Sequence, residues 1–314
     1  YSMESSGGYS KLVGNTPVLH LSKLFPDENI SQVWAKLELV NPFSIKDRPG
    51  LAMIKDAIES GKLKPGVELV EASSGNTAIS LAALGASMGF PVKIFMHSGC
   101  SRERWQILNA FGARVILTPK DELTAGARQR AIEYCEKSNG ASYFLNQHTN
   151  PSNALAHIQG TGPELWNEFG ERLQAVVIGM GTCGTIEGIS SYLKEKNPNI
   201  KIIGMEPESN ACFSGGPKGP HKIVGIGPGF QTDNFLRSKG RIDEIITVSD
   251  EDAFTYTREI PKSEGLLVGI TSGAGVYVAK KLLERDEFKD PSKVIVILFC
   301  DSGERYLTTP GLFP

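Results

Sequence analysis

Short apolar runs alternate along the chain with longer stretches in which apolar residues recur every three or four positions. Residues 67–72, 91–96, 113–118 and 142–146 are rich in β-branched or aromatic side chains and bounded by Gly, Pro or polar residues, which predicts buried strands. Between them, 77–88, 102–111 and 125–137 carry helical spacing. The rhythm returns with strands predicted over 175–180, 201–206, 244–249 and 294–299. Near-continuous apolar strands separated by amphipathic helices predict an α/β protein with mainly parallel sheets covered by helices. Two groups of strands predict two lobes, joined near 147–153, a polar stretch containing Pro151. Residues 18–21 and 33–39 predict a hairpin that either lobe could accept. The Gly/Pro-rich segments 215–219 and 225–229 predict a mobile or ligand-facing loop.

Composition narrows the function more than the fold. A chain of 314 residues, 40% hydrophobic, can furnish one large or two ordinary domains with a full core. A net charge of −2 supplies no field for nucleic acid or an anionic membrane surface. No apolar run approaches the roughly 20 residues that span a bilayer, and residues 1–8 lack the apolar centre of a secretory leader. Five scattered cysteines without a C-x-x-C pair argue against a disulfide scaffold or structural zinc. The expected setting is a reducing compartment, most simply the cytoplasm.

Four segments carry candidate chemistry. Asn41-Pro42-Phe43-Ser44-Ile45-Lys46-Asp47-Arg48-Pro49 runs into a helical pattern over 50–60, which Ser44 or Asp47 could cap. Lys46 then lies at the positive end of a helix, where an amine loses proton affinity and becomes a nucleophile; a surface lysine in a charged turn is the plainer reading. Glu71-Ala72-Ser73-Ser74-Gly75-Asn76-Thr77 joins a strand to a helix and gathers hydroxyls, an amide and free backbone N–H groups, an arrangement suited to an anion or simply to a helix cap. Gly179-Met180-Gly181-Thr182-Cys183-Gly184-Thr185 is a second such junction and satisfies G-x-G-x-x-G, with Glu206 about 20 residues beyond it. On those residues alone a nicotinamide dehydrogenase is a serious rival. Gly269-Ile270-Thr271-Ser272-Gly273-Ala274-Gly275, with Asp301-Ser302-Gly303-Glu304-Arg305-Tyr306 downstream, is the fourth. It reads as a functional hydroxyl cluster or as a helix start.

In this order, and together with Leu12-Val13-Gly14-Asn15-Thr16-Pro17, the four segments resemble the cysteine synthase family, the β-replacement branch of the fold-type-II pyridoxal-phosphate enzymes. The resemblance spans nearly the whole chain and makes the dehydrogenase a remote alternative. It implies the two-lobed architecture typified by the tryptophan synthase β subunit. Residues 1–40 and 151–314 would form a larger cofactor-binding domain, and residues 41–150 a smaller mobile one. It further implies that Lys46 carries pyridoxal 5'-phosphate as a Schiff base and that Asn76 meets the cofactor's phenolic oxygen. Gly181, Thr182, Cys183, Gly184 and Thr185 would cradle its phosphate, and Ser272 would face the pyridine nitrogen. Ser73, Ser74, Gly75, Asn76 and Thr77 would grip the substrate carboxylate with help from Gln147, and Gly225 would line the leaving-group side. Cys183 stands where relatives usually carry Gly, Ser73 and Ala78 replace the common Thr and Gly, and the loop before Lys46 is one residue short. Gln231-Thr232-Asp233 is also unusual: Asp233 could activate water there, or be a solvated loop carboxylate.

The implied chemistry is β-replacement, most simply O-acetylserine plus sulfide giving cysteine and acetate, with O-phosphoserine, serine or cysteine as other substrates. A hydroxyl partner for the pyridine nitrogen disfavours long-lived carbanions and hence transamination. The family further implies a homodimer and admits docking of a serine acetyltransferase tail. Some relatives have become non-catalytic binding proteins, a reading that intact Lys46, Asn76 and Ser272 oppose.

Overall fold

The computed structural model describes residues 3–100 and 102–313, with side chains from residue 8 onward. The chain divides into two compact units, Tyr1–Val13 with Lys46–Ala156, and Gly14–Ile45 with His157–Pro314. The expected change of lobe near 147–153 thus falls at 156. Residues 1–13 belong with the smaller unit.

The smaller unit holds a parallel sheet of β3 (Glu68–Ala72), β4 (Val92–His97), β5 (Arg114–Thr118) and β6 (Ser142–Phe144), in the order β5-β4-β3-β6. Helices α1 (Asp47–Glu59), α2 (Asn76–Met88), α3 (Arg102–Ala110), α4 (Leu123–Lys137) and α5 (Pro151–Ala156) complete it. One face of the sheet packs Val70, Ala72 and Phe95 against Ala127 and Ala131 of α4. The two alanines, four residues apart on one helix face, let the helix approach closely.

The larger unit holds β1 (Val18–His20), β2 (Gln32–Lys36), β7 (Leu173–Gly179), β8 (Lys201–Pro207), β9 (Glu244–Val248) and β10 (Val294–Leu298), in the order β1-β2-β10-β7-β8-β9. Only β1 runs antiparallel, pairing Val18 with Lys36. This is the predicted hairpin, placed in the larger unit. Helices α6 (Gly162–Phe169), α7 (Gly184–Lys196), α8 (Asp233–Ser238), α9 (Asp250–Glu264) and α10 (Ile270–Leu283) accompany the sheet. Two apolar clusters draw on its inward-facing strand residues: Val33, Ala175, Val177, Ile295 and Ile297 in one, Val176, Ile178, Val294 and Val296 in the other. The alternation of partners along β7 is the period-two signature of a strand buried on both faces.

Both sheets reverse their winding at a central strand. From β3 the chain moves outward through β4 to β5, then lays β6 on the other side of β3. From β7 it moves through β8 to β9 and returns to place β10 on the other side of β7. The carboxyl end of such a strand opens a crevice where parallel sheets bind ligands. Residues 73–77 follow β3 and residues 180–183 follow β7.

Candidate functional site

In the smaller unit, the turn after β3 delivers the polar residues picked out from sequence. Asn76 opens α2, and Gly75 supplies the extended residue before it, with φ −130° and ψ −146°. Ser73 N donates to Phe95 O at 3.1 Å and Gly75 N to Ser73 Oγ at 3.3 Å. Arg104 donates to Ser74 O at 2.9 Å. Gln147, 70 residues further along, is drawn into the same group: Thr77 Oγ1 donates to its Oε1 at 2.6 Å, and its Nε2 donates to Ala72 O at 3.5 Å. Ser73, Ser74, Gly75 and Asn76 are half-buried, while Thr77 and Gln147, hydrogen-bonded to each other, are buried beside them.

Lys46 occupies the N-cap position of α1 in right-handed helical conformation and is half-buried. This corrects the capping expectation. Asp47 lies inside the first turn, where it accepts from Ser80 Oγ of α2. Ser44 pairs instead as a bridge with Asp301 within the larger unit. His148 senses the charges of Arg128 and Lys46; burial first, then those cations, push its pKa down to about 4. The imidazole is therefore neutral at physiological pH.

Glu71, which opens the 71–77 segment but receives no role from the sequence, is part of the same group. Glu71 is fully buried, its Oε1 accepting from Ala72 N at 2.8 Å and its Oε2 from Gln147 N at 3.1 Å. Burial pushes its carboxyl up to about 8, against the opposing pull of those N–H groups and of Arg128.

In the larger unit, residues 181–185 turn from β7 into α7, and Cys183 makes the turn possible by taking a left-handed conformation, with φ 64°. That region costs an L-residue roughly 1–2 kcal/mol. Cys183 is buried, its Sγ 3.7 Å from Gly181 O. Gly181 is needed for a different reason: a Cβ there would stand 2.6 Å from Gly225 O. Gly225 itself has φ 101°, and Gly227 N donates to Met180 O at 2.9 Å. Asn210 Nδ2 and His221 Nε2 each lie 3.0 Å from Gly227 O. The Gly-rich loop, expected to be mobile or ligand-facing, is thus tied to the loop after β7.

Several braces of the 181–185 loop come from residues without any local sequence signal. Thr232 Oγ1 and Asn234 Nδ2 donate to Thr182 O at 3.0 and 2.8 Å. His157, fully buried in a π-helical turn, has Nδ1 2.8 Å from Thr161 Oγ1 and Nε2 3.2 Å from Thr185 Oγ1. Asp233, between Thr232 and Asn234, is exposed in the first turn of α8. It projects to solvent while its neighbours hold the loop.

Ser272 lies in the first turn of α10, fully buried, and its Oγ has no hydrogen-bond partner among the described residues. An unpartnered buried hydroxyl costs about 1–3 kcal/mol, so its retention points to a ligand atom. Glu206, which suggested a dinucleotide ribose, is occupied elsewhere. Its carboxylate is buried and accepts from Phe213 N and Ser214 N, each at 2.9 Å. No group of three or more His, Cys, Asp or Glu among the described residues is arranged to hold a metal. Nor is any described helix long and apolar enough to cross a membrane.

The donor set fits a phosphorylated pyridine aldehyde. The orphaned Ser272 hydroxyl suits a ring nitrogen, and the loop of residues 181–183 leads into the N-terminus of α7, where backbone N–H groups favour an anion such as a phosphate.

Comparison with known proteins agrees. Residues 9–301 match the family model described as pyridoxal-phosphate dependent enzyme. A cysteine synthase of Staphylococcus aureus is 40% identical over 304 residues, 96% of this chain and 95% of that protein. The crystal structure of O-acetylserine sulfhydrylase isoform 3 from Entamoeba histolytica is 38% identical with a TM-score of 0.90, covering 96% of this chain and 90% of that one. An O-acetylserine-dependent cystathionine β-synthase from Helicobacter pylori is 36% identical with a TM-score of 0.90, covering 98% of both chains.

Proposed function

Because this chain belongs to the family of pyridoxal-phosphate dependent enzymes, we propose that it is a cysteine synthase, replacing the acetate of O-acetylserine with sulfide to give cysteine. The single observation that carries the reaction type is Ser272, whose buried Oγ has no partner among the described residues. A hydroxyl can hydrogen-bond a pyridine nitrogen without keeping it protonated, which favours prompt β-elimination over transamination.

When bound, the cofactor supplies the electron sink that makes the substrate α-carbon acidic. Lys46 would bear it covalently, Asn76 would meet its phenolic oxygen, and residues 181–185 would hold its phosphate. The remaining work belongs to the chain. Ser73, Ser74, Asn76, Thr77 and Gln147 orient the amino acid by its carboxylate. Once its amine is released, Lys46 Nζ takes the proton from Cα, a step made local by proximity. Acetate leaves from Cβ, sulfide adds there, and Lys46 returns the proton to Cα. His148, held neutral, adds no positive charge that would compete for the substrate carboxylate.

The likeness to the Helicobacter pylori enzyme favours a second reading in which O-acetylserine is retained and a larger thiol replaces sulfide. Offering O-acetylserine, O-phosphoserine, serine and cysteine in parallel, each with sulfide or homocysteine, separates these readings. The proposal expects cysteine from O-acetylserine and sulfide at the highest kcat/KM. Cystathionine from O-acetylserine as the faster product would transfer the function to the second reading. A homodimer, a serine acetyltransferase partner and a cytoplasmic setting belong to the same proposal; light scattering, alone and with the acetyltransferase tail peptide, tests the first two.

A further inference from the structure

Glu71 is a fully buried carboxyl group in the smaller unit, and the reaction as proposed gives it no task. Its oxygens accept from backbone groups far apart in sequence: Ala72 N at 2.8 Å, where β3 ends, and Gln147 N at 3.1 Å, beyond β6, with the backbone of Asn146 adding a third hydrogen bond. β3 and β6 pair as neighbours, Val70 opposite Phe144. Leu145 N then donates to Val70 O at 3.1 Å, and beyond the ladder Glu71 ties the two segments together.

What the tie fixes is the position of Gln147. The backbone of Gln147 is held from both sides, its N–H by Glu71 and its carbonyl by Asn153 Nδ2 at 2.8 Å. Its side chain reaches Thr77 Oγ1 at 2.6 Å and Ala72 O at 3.5 Å. Asn146, just before it, has φ 54°, a left-handed conformation that asparagine tolerates better than most residues. Arg128 Nε donates to Asn146 Oδ1 at 3.3 Å. The ionisable groups facing Glu71 are Arg128 and Cys135, both from α4.

We propose that Glu71 is a positioning residue for substrate binding: its carboxyl clamps the Gln147 backbone to the end of β3, so that Gln147 and Thr77 meet the substrate carboxylate as one preformed unit. The inference rests on the reading that residues 73–77 and Gln147 grip that carboxylate. An apolar residue would leave the Ala72 and Gln147 N–H groups buried and unsatisfied. A carboxyl offers acceptor capacity on each oxygen, the hydroxyl oxygen of its protonated form included. Glutamine has the same shape but one acceptor, so Glu71→Gln turns an NH2 group toward one of the two N–H groups.

The test is a double-mutant cycle on the cofactor-loaded enzyme. Glu71→Gln should raise the KM for O-acetylserine by about tenfold, the worth of one buried hydrogen bond. Its kcat should stay within about twofold, and the cofactor's absorbance should be unchanged, because Lys46 and the 181–185 loop are untouched. Gln147→Ala should raise the same KM on its own. In the Gln147→Ala background, Glu71→Gln should add little further increase, because Glu71 acts through Gln147. A merely structural Glu71 would lower kcat and KM effects would multiply; that outcome overturns the inference alone. If Gln147→Ala leaves KM unchanged, the carboxylate-grip reading falls and the inference falls with it. Should Glu71→Gln fail to fold, Glu71→Asp, too short to reach both N–H groups, carries the same cycle with the same expectations.

Discussion

Replacing Ser272 by alanine should move the stability of the cofactor-free and cofactor-bound protein in opposite directions. Ser272 Oγ is buried and unpartnered among the described residues, and an unsatisfied hydroxyl costs about 1–3 kcal/mol. Ser272→Ala removes that cost, and alanine is favoured over serine in a helix by about 0.5 kcal/mol. Against this stands the packing lost with one oxygen atom, about 1 kcal/mol or less. The cofactor-free variant should therefore gain about 1–2 kcal/mol, a rise of roughly 2–4 °C in Tm for a domain of this size. With cofactor bound, the hydroxyl gains its partner, and its removal costs the loaded protein about 1 kcal/mol; the two opposite changes together weaken cofactor affinity by about 2–3 kcal/mol, roughly 30–150-fold. Thermal unfolding of stripped and saturated protein, wild type beside variant, reads both signs. The helix-propensity gain is common to the two states and cancels in their difference. A stripped variant less stable than stripped wild type would refute the reasoning, because the hydroxyl would then have a partner within the protein.

Three further outcomes follow from the same geometry. At Cys183, with φ 64°, glycine should be more stable than alanine by about 1 kcal/mol in urea unfolding, reversing the usual order within helices; equal stability would show that the turn is unstrained. Glu71 carries a folded pKa near 8 against an ordinary value of 4.5, so the folded state binds the extra proton between those values. Stability should fall as pH rises from about 4.5 to 8 and level off above, and Glu71→Gln should remove that slope from a pH series of urea unfolding curves. Asp233 is exposed, so Asp233→Asn should leave serine formation from cysteine unchanged; a large fall would restore Asp233 as an activating base for water.

The strands were legible because β4, β7, β8 and β10 are buried along almost their whole length, which leaves continuous apolar runs between polar turns. The loops after β3 and β7 were legible for a related reason: Gly, Ser, Thr and Asn cluster where a strand gives way to a helix. What stayed hidden acts across the chain. Nothing local marks His157 as a neighbour of Thr185, or Thr232 and Asn234 as braces of Thr182, because those contacts span 28 to 52 residues. Glu71 had no distinguishing pattern either, since a carboxylate at a strand end usually faces water. Helix α9 was unmarked in the periodicity; Ser249 caps it by accepting from Asp252 N at 3.0 Å, and Pro261 sits inside its last turn. The dinucleotide fingerprint misleads here because its acidic residue, Glu206, fastens the 213–214 backbone rather than a ribose. The 225–229 loop is rich in glycine for a reason the sequence does not show, its positive φ angles and its close approach to Met180.

The central claim is that Lys46 bears the cofactor and handles the substrate's α-proton. Reducing the cofactor-loaded protein with borohydride, digesting it and mapping the products by mass spectrometry tests the first half directly. The account predicts a phosphopyridoxyl group on the peptide containing Lys46, lost in Lys46→Ala together with cysteine formation. A label on another lysine, or full activity in Lys46→Ala, would contradict it.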